Sequence, residues 1–186
     1  SFKEILLPIT QTLFYFTEEE VKEPDPPQKG AIVFLRSCDI HSLKILDQMY
    51  LENGFSDYYY KRLRERVKFI LIGCPTAFES CFCVDMGCNQ TDDYDCYIEI
   101  KDGFVYADSK NEEWDALFQS RSSTADVTPA FVEETKTRVH IPENITLDIM
   151  KSIMWDEYDS RCINCGRCNF VCPTCTCFSM QDIFYT

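Results

Sequence analysis

The sequence predicts an α/β (α+β) fold: a βαβ core with an antiparallel hairpin, followed by a cysteine-rich segment at the C-terminus. Three observations carry this expectation. Two continuous apolar runs, Ala31–Leu35 and Val67–Ile72, flank a stretch whose apolar residues (Ile40, Leu43, Leu46, Met49, Tyr50) recur at helical spacing. Asp102-Gly103, a strong two-residue turn signal, separates two segments of strand character, residues 95–101 and 104–107. Four of the 12 cysteines, Cys162, Cys165, Cys168 and Cys172, fall at C-x2-C-x2-C-x3-C-P, ending on Pro173.

Taken in order, the chain opens on an apolar stretch whose residues 13–16 have strand character. Residues 17–30 read as a linker without regular structure, because Glu18-Glu19-Glu20 is followed by Pro24, Pro26 and Pro27. The first buried-type strand, Ala31–Leu35, leads into a helix over residues 40–52, with Asp39 as its cap and Asn53-Gly54 as its stop. A shorter helix follows over residues 57–64, then the second strand, Val67–Ile72. Strand, helical crossover and strand form a βαβ unit with parallel strands. After the hairpin, helices are expected over residues 111–120, 128–139 and 143–155. We divide the chain into an α/β domain over residues 1–157 and a cysteine-rich segment over residues 158–186.

Composition narrows the function classes. There are 18 basic and 31 acidic side chains, a formal net charge of −13. That opposes nucleic-acid binding, which depends on Lys and Arg neutralising phosphates. Residues 92–115 alone hold nine acidic residues against Lys101 and Lys110, so a basic partner surface would suit this protein. No apolar run approaches the length of a membrane span, and no secretory signal is visible. CxxC, CxC and CxxxC spacings dominate among the cysteines, which favours reduced, metal-binding thiols in a reducing cytoplasm over a disulfide framework.

The run Cys162–Pro173 has the bacterial ferredoxin spacing, in which thiolates hold a [4Fe–4S] cubane. Gly166 permits the tight backbone curl that such a site needs. Zinc fits three cysteines at consecutive two-residue gaps poorly, because its sites are usually built from two separated pairs. In such runs the fourth cysteine, here Cys172, commonly serves a second cluster. Cys175 and Cys177 follow at once, as further ligands or as small buried thiols.

A second constellation is Cys38, Cys74, Cys81 and Cys83. The βαβ reading puts Cys38 and Cys74 just past the C-terminal ends of the two parallel strands, the edge where open sheets bind ligands. Cys38 also precedes a helix N-terminus, where the dipole favours a thiolate. Four converging thiolates could hold another [4Fe–4S] cluster, with zinc as the rival. His41 and His140 are isolated, and a capping or surface role outweighs a ligand role for His41. The basic stretch from Lys61 to Lys68 reads first as a solvated face. No GxGxxG or Walker pattern and no Ser/His/Asp or Cys/His constellation is present, so no catalytic residue is assigned.

Several blocks together carry a family resemblance: Ser1-Phe-Lys3 with Leu7-Pro8 and Thr12-Leu-Phe14; Ser37-Cys38-Asp39-Ile-His41-Ser-Leu43 with Leu46-Asp47; Asp57-Tyr58-Tyr59; Cys81-Phe-Cys83-Val-Asp-Met86-Gly87; and Cys162 to Cys177 with its C-P-T-C-x-C ending. The chain resembles the iron–sulfur electron-transfer subunits of anaerobic sulfite reductases and their relatives, the sulfhydrogenase beta subunits, the former most nearly. The resemblance implies a complex in which an NADH-binding flavin subunit donates electrons. A sirohaem subunit, which reduces sulfite to sulfide, accepts them. It implies one [4Fe–4S] cluster from the C-terminal run and a shared second in the full-length protein. The hydrogenase-associated relatives supply the alternative partners, and a zinc-stabilised structural subunit is the alternative of a different class. Set against this family, the chain reads as a fragment, lacking an N-terminal segment and a second ferredoxin run, so that residues 158–186 read as the first half of a dicluster ferredoxin-like domain, and Cys88 stands where Thr or Ser is expected.

Overall fold

The computed structural model describes residues 1–25 and 29–184. Helix α1 (Lys3–Leu6) is followed by a small antiparallel ladder of β1 (Tyr15–Phe16) and β2 (Val21–Lys22). β2 corrects the expected linker. Its turn is closed by Thr17, whose N–H donates to the Glu20 carbonyl (2.9 Å) and whose hydroxyl accepts from the Glu20 N–H (3.0 Å). Local side-chain and backbone bonds thus make a hairpin before the prolines intervene. Pro26 and Pro27 lie outside the described residues.

The main sheet has four strands: β3 (Ala31–Leu35), β4 (Val67–Ile72), β5 (Cys96–Lys101) and β6 (Phe104–Ser109), side by side in that order. β3 and β4 are parallel, with Ala31 opposite Val67 and Leu35 opposite Leu71. β5 is parallel to β4, and β6 returns antiparallel from the Asp102-Gly103 turn. Both turn residues have positive φ (52° and 80°), the conformation a tight hairpin turn requires.

Helix α2 (Ser37–Asp47) and helix α3 (Tyr58–Arg64) lie between β3 and β4 in sequence. Asp39 does not stand before α2 as a cap. It lies inside the first turn, and its carboxylate accepts from the Arg36 N–H (3.3 Å). Residues 48–52 continue α2 as a π-helical turn, Gln48–Glu52. Asp57 caps α3, accepting from the Tyr60 N–H (2.8 Å). Ile40, Leu43 and Leu46 of α2 pack with Val33, Leu35, Val67, Phe69, Leu71 and Tyr97 of one sheet face, and Leu6 and Tyr60 complete this core. Tyr60 also donates to Asp47 (2.7 Å), which Arg64 grips with two contacts of 3.0 and 3.1 Å. Burial, and then the Asp47 bond, push the Tyr60 phenol well above its usual range.

Helix α4 (Glu112–Gln119) forms where expected, capped by Asn111. Two later expectations are corrected. Residues 128–139 are not helical; they run as an irregular strap that buries Val132 and Thr135. Pro129 removes a backbone donor, and the Ala130 and Val132 carbonyls accept from Cys74 and Asn89 rather than from helical neighbours. Residues 143–155 hold only a short 3-10 turn, Leu147–Lys151, before α5 (Met154–Arg161) begins. The Ile149 carbonyl accepts from the Ser152 N–H (3.2 Å) and from the Trp155 indole (2.6 Å), so it does not serve a continuous α-helix.

Leu71 is fully buried in the middle of the sheet. Leu71→Ala should therefore lower unfolding stability by about 2–5 kcal/mol, read as a lower urea midpoint at unchanged slope.

Candidate metal centres

The parallel pairing of β3 and β4 brings their C-terminal ends to one edge. Cys38 stands there as the second residue of α2, and Cys74 two residues past β4. The loop carrying Cys81, Cys83 and Cys88 folds over the same edge. One bond closes it on itself and two hold it to α2. The Cys88 N–H donates to the Cys83 carbonyl (2.9 Å), Ser37 donates to the Cys88 carbonyl (3.0 Å), and His41 Nε2 donates to the Gln90 carbonyl (2.9 Å). His41 therefore tethers the loop through its Nε2–H. Gly87, at φ 63°, makes the reversal between Cys83 and Cys88.

The strap holds the other side. The Cys74 N–H donates to the Ala130 carbonyl (3.0 Å), and the Ala130 N–H donates to the Tyr97 hydroxyl (2.9 Å). Asn89 donates to the Val132 carbonyl (2.7 Å) and Thr137 to the Glu79 carbonyl (2.8 Å). Asp85 pairs with Arg138 (2.8 Å) and accepts from the Val139 N–H (2.6 Å). Gly73 is required where the strap, β4 and Tyr97 meet, because an added Cβ would lie 2.7 Å from the Tyr97 oxygen.

Cys38 is exposed as a residue, but partial desolvation of its thiol pushes it up to about 11, and the negative charges of Asp39, then Cys88 and Cys83, add to this. The helix N-terminus favours a thiolate here, as the sequence implies, but desolvation and like charge outweigh the dipole. Burial likewise raises Cys83, with Cys81 and Cys74 as like-charged neighbours, and raises Cys88, with Cys83 as neighbour. Cys38, Cys83 and Cys88 are thus raised by burial first and by like charge second. Cys88 is not among the predicted ligands; its only sequence signal is its place one residue after Met86-Gly87. Cys96, by contrast, is fully buried in β5.

In the C-terminal run, Cys162 follows α5, Cys165 precedes Gly166, Cys168 lies on α6 (Arg167–Val171) and Cys172 ends that helix. Asn164 (φ 56°) and Gly166 (φ 68°) both take left-handed conformations, which curl the backbone between consecutive cysteines. Cys162, Cys165 and Cys168 are exposed, and Cys172 is half-buried. The Thr174 hydroxyl beside Cys172 (3.3 Å) is the main cause holding that thiol below its ordinary value, and Lys3 contributes less. Cys175 raises Cys177 through a hydrogen bond and like charge. The segment is tied to α1 by Lys3, which donates to the carbonyls of Asn169 and Cys175 (3.0 Å for the latter), and to the π-helical turn by Tyr50, which donates to the Thr176 carbonyl (3.3 Å). Sequence reasoning did not single out Lys3 as a site residue; a lone lysine beside an apolar run gives no chemical signal.

Among the described residues, no group of three or more His, Cys, Asp or Glu stands in ligating geometry. The donor chemistry nevertheless fits iron–sulfur clusters: both groups are built of soft thiols, and Asp85, two residues after Cys83, is occupied by Arg138 and the Val139 N–H. Nor is any helix among the described residues long and apolar enough to cross a membrane.

A family model described as "4Fe-4S dicluster domain" matches residues 161–186. The chain is similar to sulfhydrogenase 2 subunit beta of Pyrococcus furiosus, at 29% identity over 195 residues. That alignment covers 97% of this chain and 58% of the relative, so the chain spans little more than half the relative's length. No solved structure matches.

Iron-free protein should show the thiol order directly. At about pH 8, a thiol titrating near 11 is only about one part in a thousand thiolate. Iodoacetamide should therefore label Cys172 at least about tenfold faster than Cys38, read by peptide mass spectrometry. The Cys38 rate should climb as pH rises from 9.0 toward about 11. The folded protein holds this proton more tightly than the unfolded chain does. The stability Cys38 contributes is thus complete below about pH 9 and lost as pH passes about 11.

Proposed function

We propose that this chain is the iron–sulfur electron-transfer subunit of a multisubunit oxidoreductase. The observation that carries the reading is the run Cys162, Cys165, Cys168 and Cys172 on a left-handed curl, inside the segment that matches the dicluster domain. These residues would ligate a [4Fe–4S] cluster, with a second cluster shared in the full-length protein. Cys38, Cys74, Cys81 and Cys83 would hold a further cluster at the sheet edge. A bound cluster supplies a one-electron centre. The protein sets its potential through burial, hydrogen bonds to sulfur and net charge. The chain has no evident catalytic residues of its own, so the substrate chemistry falls to a partner.

The motif blocks favour electron supply from an NADH-binding flavin subunit, with delivery to a sirohaem sulfite reductase subunit, in a reducing cytoplasm. The similarity to a sulfhydrogenase beta subunit favours a second reading, in which the partners are those of a hydrogenase complex. The acidic stretch from Asp92 to Asp115 would dock on a basic face of either partner.

Anaerobically prepared protein should be brown and contain acid-labile sulfide. Cys165→Ser should remove the iron of the C-terminal cluster, and Cys83→Ser the iron of the sheet-edge cluster, each read by iron and sulfide counting. Unchanged iron in the Cys83→Ser protein would remove the sheet-edge cluster from the proposal. A colourless protein with stoichiometric zinc would favour the alternative of a zinc-stabilised structural subunit.

A further inference from the structure

Lys3 is a buried cation outside both groups of thiols. It is 7% exposed. Removing an ammonium from water is costly unless a negative group compensates it. Among the described residues no carboxylate forms an ion pair with it; the pairs found involve other residues. Its bonds go instead to two carbonyls, of Asn169 and Cys175. Carbonyl oxygens replace part of the lost hydration but do not neutralise the charge.

Both acceptors lie within the cysteine segment. Asn169 directly follows Cys168, and Cys175 lies three residues past Cys172. Tyr50, on the π-helical turn, grips the same segment through Thr176 and is itself stacked on Tyr60, with ring centroids 4.8 Å apart. The α/β domain thus holds the segment from two elements, and one of the two contacts delivers a full positive charge.

A cubane held by thiolates is an anion, and it becomes more negative when reduced. A fixed cation in a poorly solvated site favours the more negative form, because the attraction is weakly screened there. We propose that Lys3 is a positioning residue and counter-charge for the iron–sulfur cluster of the C-terminal run. It fixes the backbone between Cys168 and Cys175 and raises the reduction potential of that cluster. This inference rests on the proposed iron–sulfur function.

The test uses the full chain, purified anaerobically with its clusters and titrated with dithionite, with the reduced cluster followed by electron paramagnetic resonance. In Lys3→Met, which keeps the apolar stem, the reduced-to-oxidised ratio at a fixed poise should fall about tenfold, or about 59 mV for a one-electron couple. Lys3→Arg should stay near wild type. A Lys3→Met protein with full iron content and an unshifted midpoint would overturn the proposal. Should Lys3→Met fail to fold or to retain iron, Lys3→Gln, which keeps donors without the charge, decides. A lowered midpoint supports the counter-charge role, and a wild-type midpoint overturns it. Wild-type protein that takes up no iron would overturn both this inference and the function on which it rests.

Discussion

The parallel pairing of β3 and β4 is the constraint on which the rest of the structure depends. Two strands running the same way cannot be joined by a tight turn, so the chain between them must cross back over the sheet. Here α2, the π-helical turn and α3 make that crossing and bury Ile40, Leu43, Leu46 and Tyr60 on the inner face. The same geometry places both strand ends at one edge. Whatever follows β3 meets whatever follows β4, and the residues that follow include Cys38 and Cys74. The sheet thus both forms the core and gathers the thiols.

Gathering is then refined by polar bonds rather than by apolar packing. The loop from Cys81 to Gln90 has little to bury, so it is held through its carbonyls by Ser37 and His41. On the far side the strap spends its own backbone and side-chain groups on the same loop and on Cys74. Each bond of this type contributes only about 0.5–1.5 kcal/mol net, but losing one partner of a buried pair costs more. The cysteine-rich C-terminal segment is attached by the same logic. Lys3 and Tyr50 reach carbonyls within it from two separate elements of the α/β domain. The two groups of thiols therefore differ in electrostatic setting. Desolvation, then like charge, raises Cys38, Cys83 and Cys88, whereas the Thr174 hydroxyl, with a smaller contribution from Lys3, lowers Cys172.

Much of the fold was legible because the signals were local. The apolar runs of β3 and β4 match their strands at both ends, and the Asp102-Gly103 turn forms the expected hairpin. The early helices and α4 also lie close to where periodicity puts them. The two missing helices share a cause. Residues 128–139 contain apolar positions that could suit a helix, yet their backbone bonds go to Cys74, Asn89 and Asp85, all distant in sequence. The helix expected over residues 143–155 breaks because a tryptophan indole takes a carbonyl that helical continuation would have used. In both segments the competing partner is one that a periodicity of apolar residues does not register.

The same division runs through the candidate sites. Thiol spacing is a property of the chain itself, so the sequence alone determined the ferredoxin-type run from Cys162 to Pro173. It likewise determined the parallel unit that puts Cys38 and Cys74 at one edge, since covalent spacing and strand direction are written into neighbouring residues. Only the tertiary structure decided which other groups share those surroundings: Cys88 beside Cys83, His41 as a loop tether, and Lys3 buried against the C-terminal segment. Those placements depend on desolvation and on carbonyls offered from elsewhere in the fold. A buried charge or thiol responds to everything packed around it, and no stretch of sequence contains all of those neighbours at once.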